Sequence, residues 1–184
     1  MPGPPRPPTS PRALAYIAML NSGFTDEAII TRLLGIWDRW NARGVFPSYV
    51  QIVVCTEQEA EGYRLNPPDL TLCQHRSFLN LLEYNLRSPD VTYTPSEHTG
   101  LDTIVQLAII SAPGFEELFT EIGSILEPPA PDVLYIFCRH GIHRSPAVVA
   151  LIQHIFLRNI TVQHSRARTR NAARARQVVS RYYP

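Results

Sequence analysis

The segment LYIFCRHGIHRSPAVVALIQHIF, Leu134–Phe156, constrains this chain more than any other. Its first apolar run reads as a buried strand and its second as a buried helix. Between them lies a short turn holding Cys138, Arg139, His140, Gly141, Ile142, His143, Arg144 and Ser145. A chain that sinks both flanks of such a turn in a core must hold one thiol, two imidazoles and two guanidiniums at one place on its surface.

The rest of the chain supplies partners for this unit. The proline density of residues 1–8 blocks helix and ladder bonding, so 1–12 is expected to be a disordered or polyproline leader. Ser10 can cap a helix with Pro11 at its first position, running through RALAYIAML. TDEAIITRLLGIWDRWNARG is the clearest helix. Thr25 is its expected cap and Gly44 its stop, and Ile29, Ile30, Leu33, Leu34, Trp37 and Trp40 make one apolar face. That places both tryptophans in the core. SYVQIVVCT and the shorter DLTLC read as strands, and SFLNLLEYNL as a short helix. SEHTGLDTIVQLAIIS is a turn becoming a helix, and PGFEELFTEIGSILEPP is another helix. NITVQHS reads as a final strand, and RTRNAARARQVVSRYYP as a basic helix or tail. His154, in the helix LIQHIF, is expected to be a packing residue. Strands alternating with helices of ten or more residues predict a single-domain α/β fold, with a mainly parallel sheet, flanking helices and a phosphate-binding strand-loop-helix. The expected boundaries are 13–165 for the domain and 166–184 for an arginine-rich tail.

The chain has 184 residues, of which 18% are charged, a balance typical of globular proteins. No apolar run reaches the roughly 18 residues that a membrane span needs, and the amino terminus lacks the apolar stretch of a secretory signal. Cys55, Cys73 and Cys138 are too few and too scattered for a disulfide framework. Their spacing offers no zinc knuckle. A cytoplasmic protein without membrane attachment, metal or cofactor is therefore expected.

Charge is strongly segregated. All 17 basic residues are arginine. Residues 1–132 carry 8 arginines and all 16 acids, a formal −8, whereas residues 133–184 carry 9 arginines and no acid, a formal +9. A basic half of this kind suits phosphate-bearing partners.

In an open parallel sheet, ligands sit beyond the carboxyl ends of strands, facing helix amino termini. The turn after Val133–Cys138 occupies that position. Its backbone N–H groups can curl around a tetrahedral oxyanion, helped by the positive end of the next helix. Gly141 permits close backbone approach, and Arg144 can grip two oxygens with its planar fork. Ser145 is expected to cap the helix and to hydrogen-bond the Cys138 sulfur, in an electropositive setting that lowers a thiol pKa. The predicted phosphate-binding residues are thus Cys138, Arg139, His140, Gly141, Ile142, His143, Arg144 and Ser145.

CRHGIHRS resembles the C-T-G-G-x-H-R-S loop of the C-terminal domain of the RapZ/YvcJ RNase adapter family. HTGLDTIVQLAIISAPGFEELFTEIGSIL is similar to that family's L-T-G-L-D segment and following helices. DLTLCQHRSFLN and NITVQHSRART resemble its D-L-V-F-D-V-R-F-L-P-N strand and its closing V-x-V-R-H-R-x-L. Together these cover about residues 50–170 in the family's order. The family's N-terminal nucleotide-binding domain has no counterpart here, and a chain without lysine cannot form a Walker A loop. Arg139-His140 replaces the family's small Thr-Gly pair, adding charge and narrowing the pocket. The family's strand aspartate has no clear equivalent, the nearest positions being Cys73 and Gln74.

The resemblance implies a non-enzymatic regulatory domain that binds a phosphorylated metabolite of the amino-sugar phosphate type, or an inorganic anion, and RNA. It assigns supporting roles to Arg76, Thr99, Gly100, Asp102 and His164. A homo-oligomer is compatible with it. The expected RNA contacts are Arg166, Arg168, Arg170, Arg174 and Arg176, with Tyr182 and Tyr183 available for stacking. The C-x5-R loop also resembles that of cysteine-dependent phosphatases. That alternative would use Cys138 as nucleophile, Arg144 as phosphate clamp and Asp102 as acid. Phe137 stands where those enzymes have histidine, and no W-P-D segment precedes the loop.

Overall fold

The computed structural model describes residues 3, 10–47, 49–65, 75–158 and 160–164. Two helices open the fold, α1 (Pro11–Asn21) and α2 (Glu27–Ala42). Ser10 caps α1 by accepting from the Ala13 N–H, with Pro11 in the first turn. Asp26, not Thr25, caps α2. Its Oδ1 accepts from the backbone of Ala28 (2.8 Å) and Ile29 (3.4 Å), and a carboxylate there also meets the positive end of the helix.

Among the described residues four strands follow: β1 (Gln51–Thr56), β2 (Arg76–Asn80), β3 (Val133–Cys138) and β4 (Thr161–His164). They form one sheet in the order β2-β3-β1-β4, with every neighbouring pair parallel. The protein is α/β, with helices flanking a four-stranded parallel sheet. Helix α3 (Glu57–Leu65) leaves β1, α4 (Thr103–Ile110) and α5 (Phe115–Leu126) lead to β3, and α6 (Arg144–Leu151) leaves β3.

Three expectations change here. SFLNLLEYNL is not a helix, because Arg76–Asn80 pairs with β3 along its length and only Leu81–Glu83 forms a 3-10 turn. The ladder outweighs the local helical pattern. Ser145 does not cap α6: the helix begins two residues earlier than a Ser145 cap would have it, at Arg144, with His143 at the cap position and no side-chain cap bond. The last helix is also not uniform, since it widens into a π-helix over Ile152–Phe156. Helix α3 was not expected. Its signal is Thr56-x-x-Glu59, where the Glu59 N–H donates to Thr56 Oγ1 (3.0 Å) and the Thr56 N–H donates to Glu59 Oε1 (3.2 Å). The predicted strand DLTLC, the leader apart from Gly3 and Ser10–Arg12, and the tail from residue 166 lie outside the described residues.

The core is split by the sheet. Ile52, Val54, Leu134 and Ile136 face α1, α2, α4, α5 and α6, whereas Cys55, Val133, Tyr135 and Phe137 face α3. Trp37 and Trp40 are core, as their spacing predicts; Trp40 donates its indole N–H to the Phe119 carbonyl (3.1 Å) and packs on Phe156. Each large side chain buried this way contributes about 1.5–3 kcal/mol. On the other face Tyr135 stacks on Phe78 at 4.7 Å.

This division positions the site. The connection from β1 runs through α3 on one face to β2; the connection from β3 runs through α6 on the other face to β4. The two leave in opposite directions, so β1 and β3 flank a topological switch point, and a crevice opens beyond Thr56 and Cys138. Among the described residues, no helix is long and apolar enough to cross a membrane.

Candidate functional site

The loop closing that crevice is held from three sides. Gly141 turns with φ 62° and packs over the end of β1, where a Cβ would lie 3.2 Å from the Cys55 carbonyl carbon and oxygen. Glycine suits the left-handed turn, and an added Cβ would be a tight fit against the β1 backbone. From below, Cys138 and Ser145 are buried and their Sγ and Oγ atoms lie 3.1 Å apart. From the side, the Gly100 N–H donates to the Ile142 carbonyl (2.8 Å), and the Gly100 Cα touches the His143 carbonyl and the Ala147 nitrogen so closely that a Cβ would overlap both.

The predicted Thr99–Asp102 segment therefore does meet the loop, across more than 40 residues of sequence. Its own side chains help to close it into a turn. Asp102 Oδ2 accepts from the Thr99 N–H (2.8 Å) and faces His98 Nδ1 (3.5 Å), and the Leu101 N–H donates to Thr99 Oγ1 (3.3 Å). Asp102 occupies the cap position of α4 without a side-chain cap bond, its carboxylate being turned into the preceding turn.

The loop opens on a cavity of about 300 Å³ walled by Cys138, Arg139, His140, His143 and Arg144, with Leu82 and Tyr93 opposite. Arg139 and His140 are exposed, and Arg144 is half-buried. Leu82 and Tyr93 were not expected; they come from segments about 50 residues away, and no local pattern marks them. Tyr93 packs on His143 with ring centroids 5.6 Å apart. Burial pushes the Tyr93 phenol pKa up, the nearby Arg144 guanidinium opposes that rise and Cys138 adds to it. His143 Nε2 lies 2.9 Å from the Pro95 carbonyl oxygen. A carbonyl only accepts, so Nε2 carries the proton, and in the neutral ring Nδ1 is the acceptor.

The remaining predicted residues lie elsewhere. Arg76 pairs with Val133 at the amino end of the sheet, and its Nη1 donates to the Tyr63 carbonyl (3.1 Å), so it sits at the opposite end of β3's length from Cys138. His164 ends the edge strand β4 beside Val54, with β1 between it and β3. Asp132 is likewise at the amino end of β3, where it accepts from the His75 N–H (3.2 Å). Arg166, Arg168, Arg170, Arg174 and Arg176 lie outside the described residues. Among the described residues no three His, Cys, Asp or Glu side chains are grouped as metal ligands.

The arrangement offers an anion a strand-loop-helix with a half-buried guanidinium, two imidazoles and the amino end of α6, and no acid lines the cavity among the described residues. No protein-family model, no curated protein and no solved structure matches this chain.

Proposed function

We propose that the Cys138–Ser145 loop is the phosphate-recognition site of a non-enzymatic regulatory domain. Its ligand is a phosphorylated small molecule, of the amino-sugar phosphate class that the resemblance to the RapZ C-terminal domain implies, and its arginine-rich tail contacts RNA. The observation that carries this reading is the packing of Gly100 on the His143 carbonyl, which joins the two segments carrying the resemblance into one site. Arg144 supplies the clamp, the loop backbone and α6 supply N–H donors, and Leu82 and Tyr93 form a wall for the non-phosphate part of the ligand. Calorimetric titration with glucosamine 6-phosphate and with inorganic phosphate tests it. Saturable binding lost in Arg144→Ala supports the assignment, and equal binding in both proteins refutes it.

A second reading is a cysteine-dependent phosphatase. What favours it is the Ser145 hydroxyl 3.1 Å from the Cys138 sulfur, where it could stabilise a thiolate. What weighs against it is the proton donor. Asp102 is committed to its own turn and to His98, and the cavity wall holds no carboxylate among the described residues.

A further inference from the structure

A second cavity, of about 580 Å³, lies between the carboxyl end of α1, the amino end of α4 and the π-helix. It shares no lining residue with the loop cavity. Its volume falls within the roughly 300–1,000 Å³ typical of small-molecule sites. Three amides, from Asn21, Gln106 and Gln153, converge on it together with His154 and Arg158, and no acid among the described residues lines it. Each of these groups has donors to offer. Arg158 is held in place by one bond, from Nη2 to the Leu14 carbonyl (2.8 Å), which leaves the other N–H groups of its fork for a ligand. Gln106 is buried and anchored through Nε2 to the Gly100 carbonyl (3.2 Å).

The π-helix is an independent pointer to the same place. The Leu157 N–H reaches back five residues to the Ile152 carbonyl (2.6 Å), so one extra residue is accommodated in the turn. Such turns are less favourable than α-helix and are found frequently at functional sites. Here Ile152, Ile155 and Phe156 keep their places in the core, while Gln153 and His154 line the cavity. The sequence reading of His154 as a packing residue does not hold, since it is exposed at the cavity wall.

We propose that this cavity is a second ligand site, for a small hydroxylated organic anion. Arg158 and the imidazole N–H of His154 face the anionic group, and the amides, which both donate and accept, face hydroxyls. The inference stands apart from the phosphate loop, and its test separates the two. Citrate, a hydroxylated tricarboxylate, is titrated calorimetrically into the full chain carrying Arg144→Ala, which disables the loop clamp. Saturable one-to-one binding is expected to persist there, and to weaken tenfold or more when Arg158→Gln is added and when His154→Gln is added. His154→Gln alters only an exposed side chain, so it remains informative if Arg158→Gln perturbs the contact with α1. Absence of saturation at millimolar citrate in the Arg144→Ala chain, or unchanged affinity on adding His154→Gln, would overturn the second site. Neither result bears on the loop, whose own test is phosphate binding.

Discussion

Gly100 and His143 are in direct backbone contact, 43 positions apart in sequence, with the Gly100 Cα wedged against the His143 carbonyl. No side chain can be inserted there without displacing the Cys138–Ser145 loop or the start of α6. Gly100→Ala therefore forces main chain apart, a cost of about 3 kcal/mol or more, and a melting temperature lower by about 6–12 °C for a chain of this size. Gly62→Ala is the control. Gly62 lies within α3 with nothing within 4 Å of an added Cβ, so alanine should stabilise by about 0.5–1 kcal/mol. Equal melting temperatures for wild type and Gly100→Ala would contradict the contact.

Arg144→Ala should reduce phosphate affinity by tenfold or more. The substitution removes a charge-assisted clamp worth about 1.5–3 kcal/mol while leaving the loop backbone in place. The guanidinium is also what opposes the rise of the Tyr93 phenol, so the same variant should push that tyrosine further up. Ultraviolet titration of Arg144→Ala against wild type reads this second effect without any ligand. A Tyr93 titration that does not move would separate the two side chains.

Cys138→Ser distinguishes the two functional readings. A regulatory site needs the residue only as part of the loop, so the purified protein should hydrolyse aryl phosphates no faster than the variant. Activity well above background that vanishes in Cys138→Ser would promote the phosphatase.

The parts of this fold that were legible in sequence are those that are buried throughout or, like α2, carry an apolar face at helical spacing. Val133–Cys138 and Ser145–Leu151 are buried at every position, so their apolar runs announce a strand and a helix. Arg76–Asn80 was misread because a strand on the edge of the sheet shows only a half-buried pattern, and its partner is more than 50 residues away. Thr56-x-x-Glu59 was available as a capping signature for α3, whose composition is otherwise polar. For the site, the loop was legible because its residues are contiguous. Leu82, Tyr93 and Pro95 were not, since each reaches the loop through chain folding alone. Arg76 was carried over by resemblance to one strand, and the register of that strand sets it at the far end of the sheet.

Binding of RNA by the arginine tail predicts steep salt dependence. If Arg166, Arg168, Arg170, Arg174 and Arg176 neutralise about four phosphates of a single strand, log affinity should fall against log salt with a slope near −3, at about −0.7 per contact. Replacing three of them with glutamine should reduce that slope by about two units and leave phosphate binding at the loop unchanged. Filter binding across a salt series compares the two proteins. Coincident curves would mean that the basic half serves folding or a protein partner.

Cys55 gives the fold a pH dependence of determined sign. It is buried behind the loop, and burial pushes its thiol pKa up to about 12, with Glu59 and then Cys138 adding to the rise. The raised value means that the folded state favours the neutral thiol. Its contribution to stability is complete below the ordinary value of 9.0 and drains away as pH climbs toward 12. One proton sets the limit, about 1.4 kcal/mol per pH unit. Urea unfolding of wild type and Cys55→Ala between those pH values reads the effect together with that of Tyr63, whose phenol is held up in part by Cys55 and so shifts stability in the same direction. The stability advantage of wild type should shrink as pH rises. A constant difference across the range would show that the thiolate is tolerated where Cys55 sits.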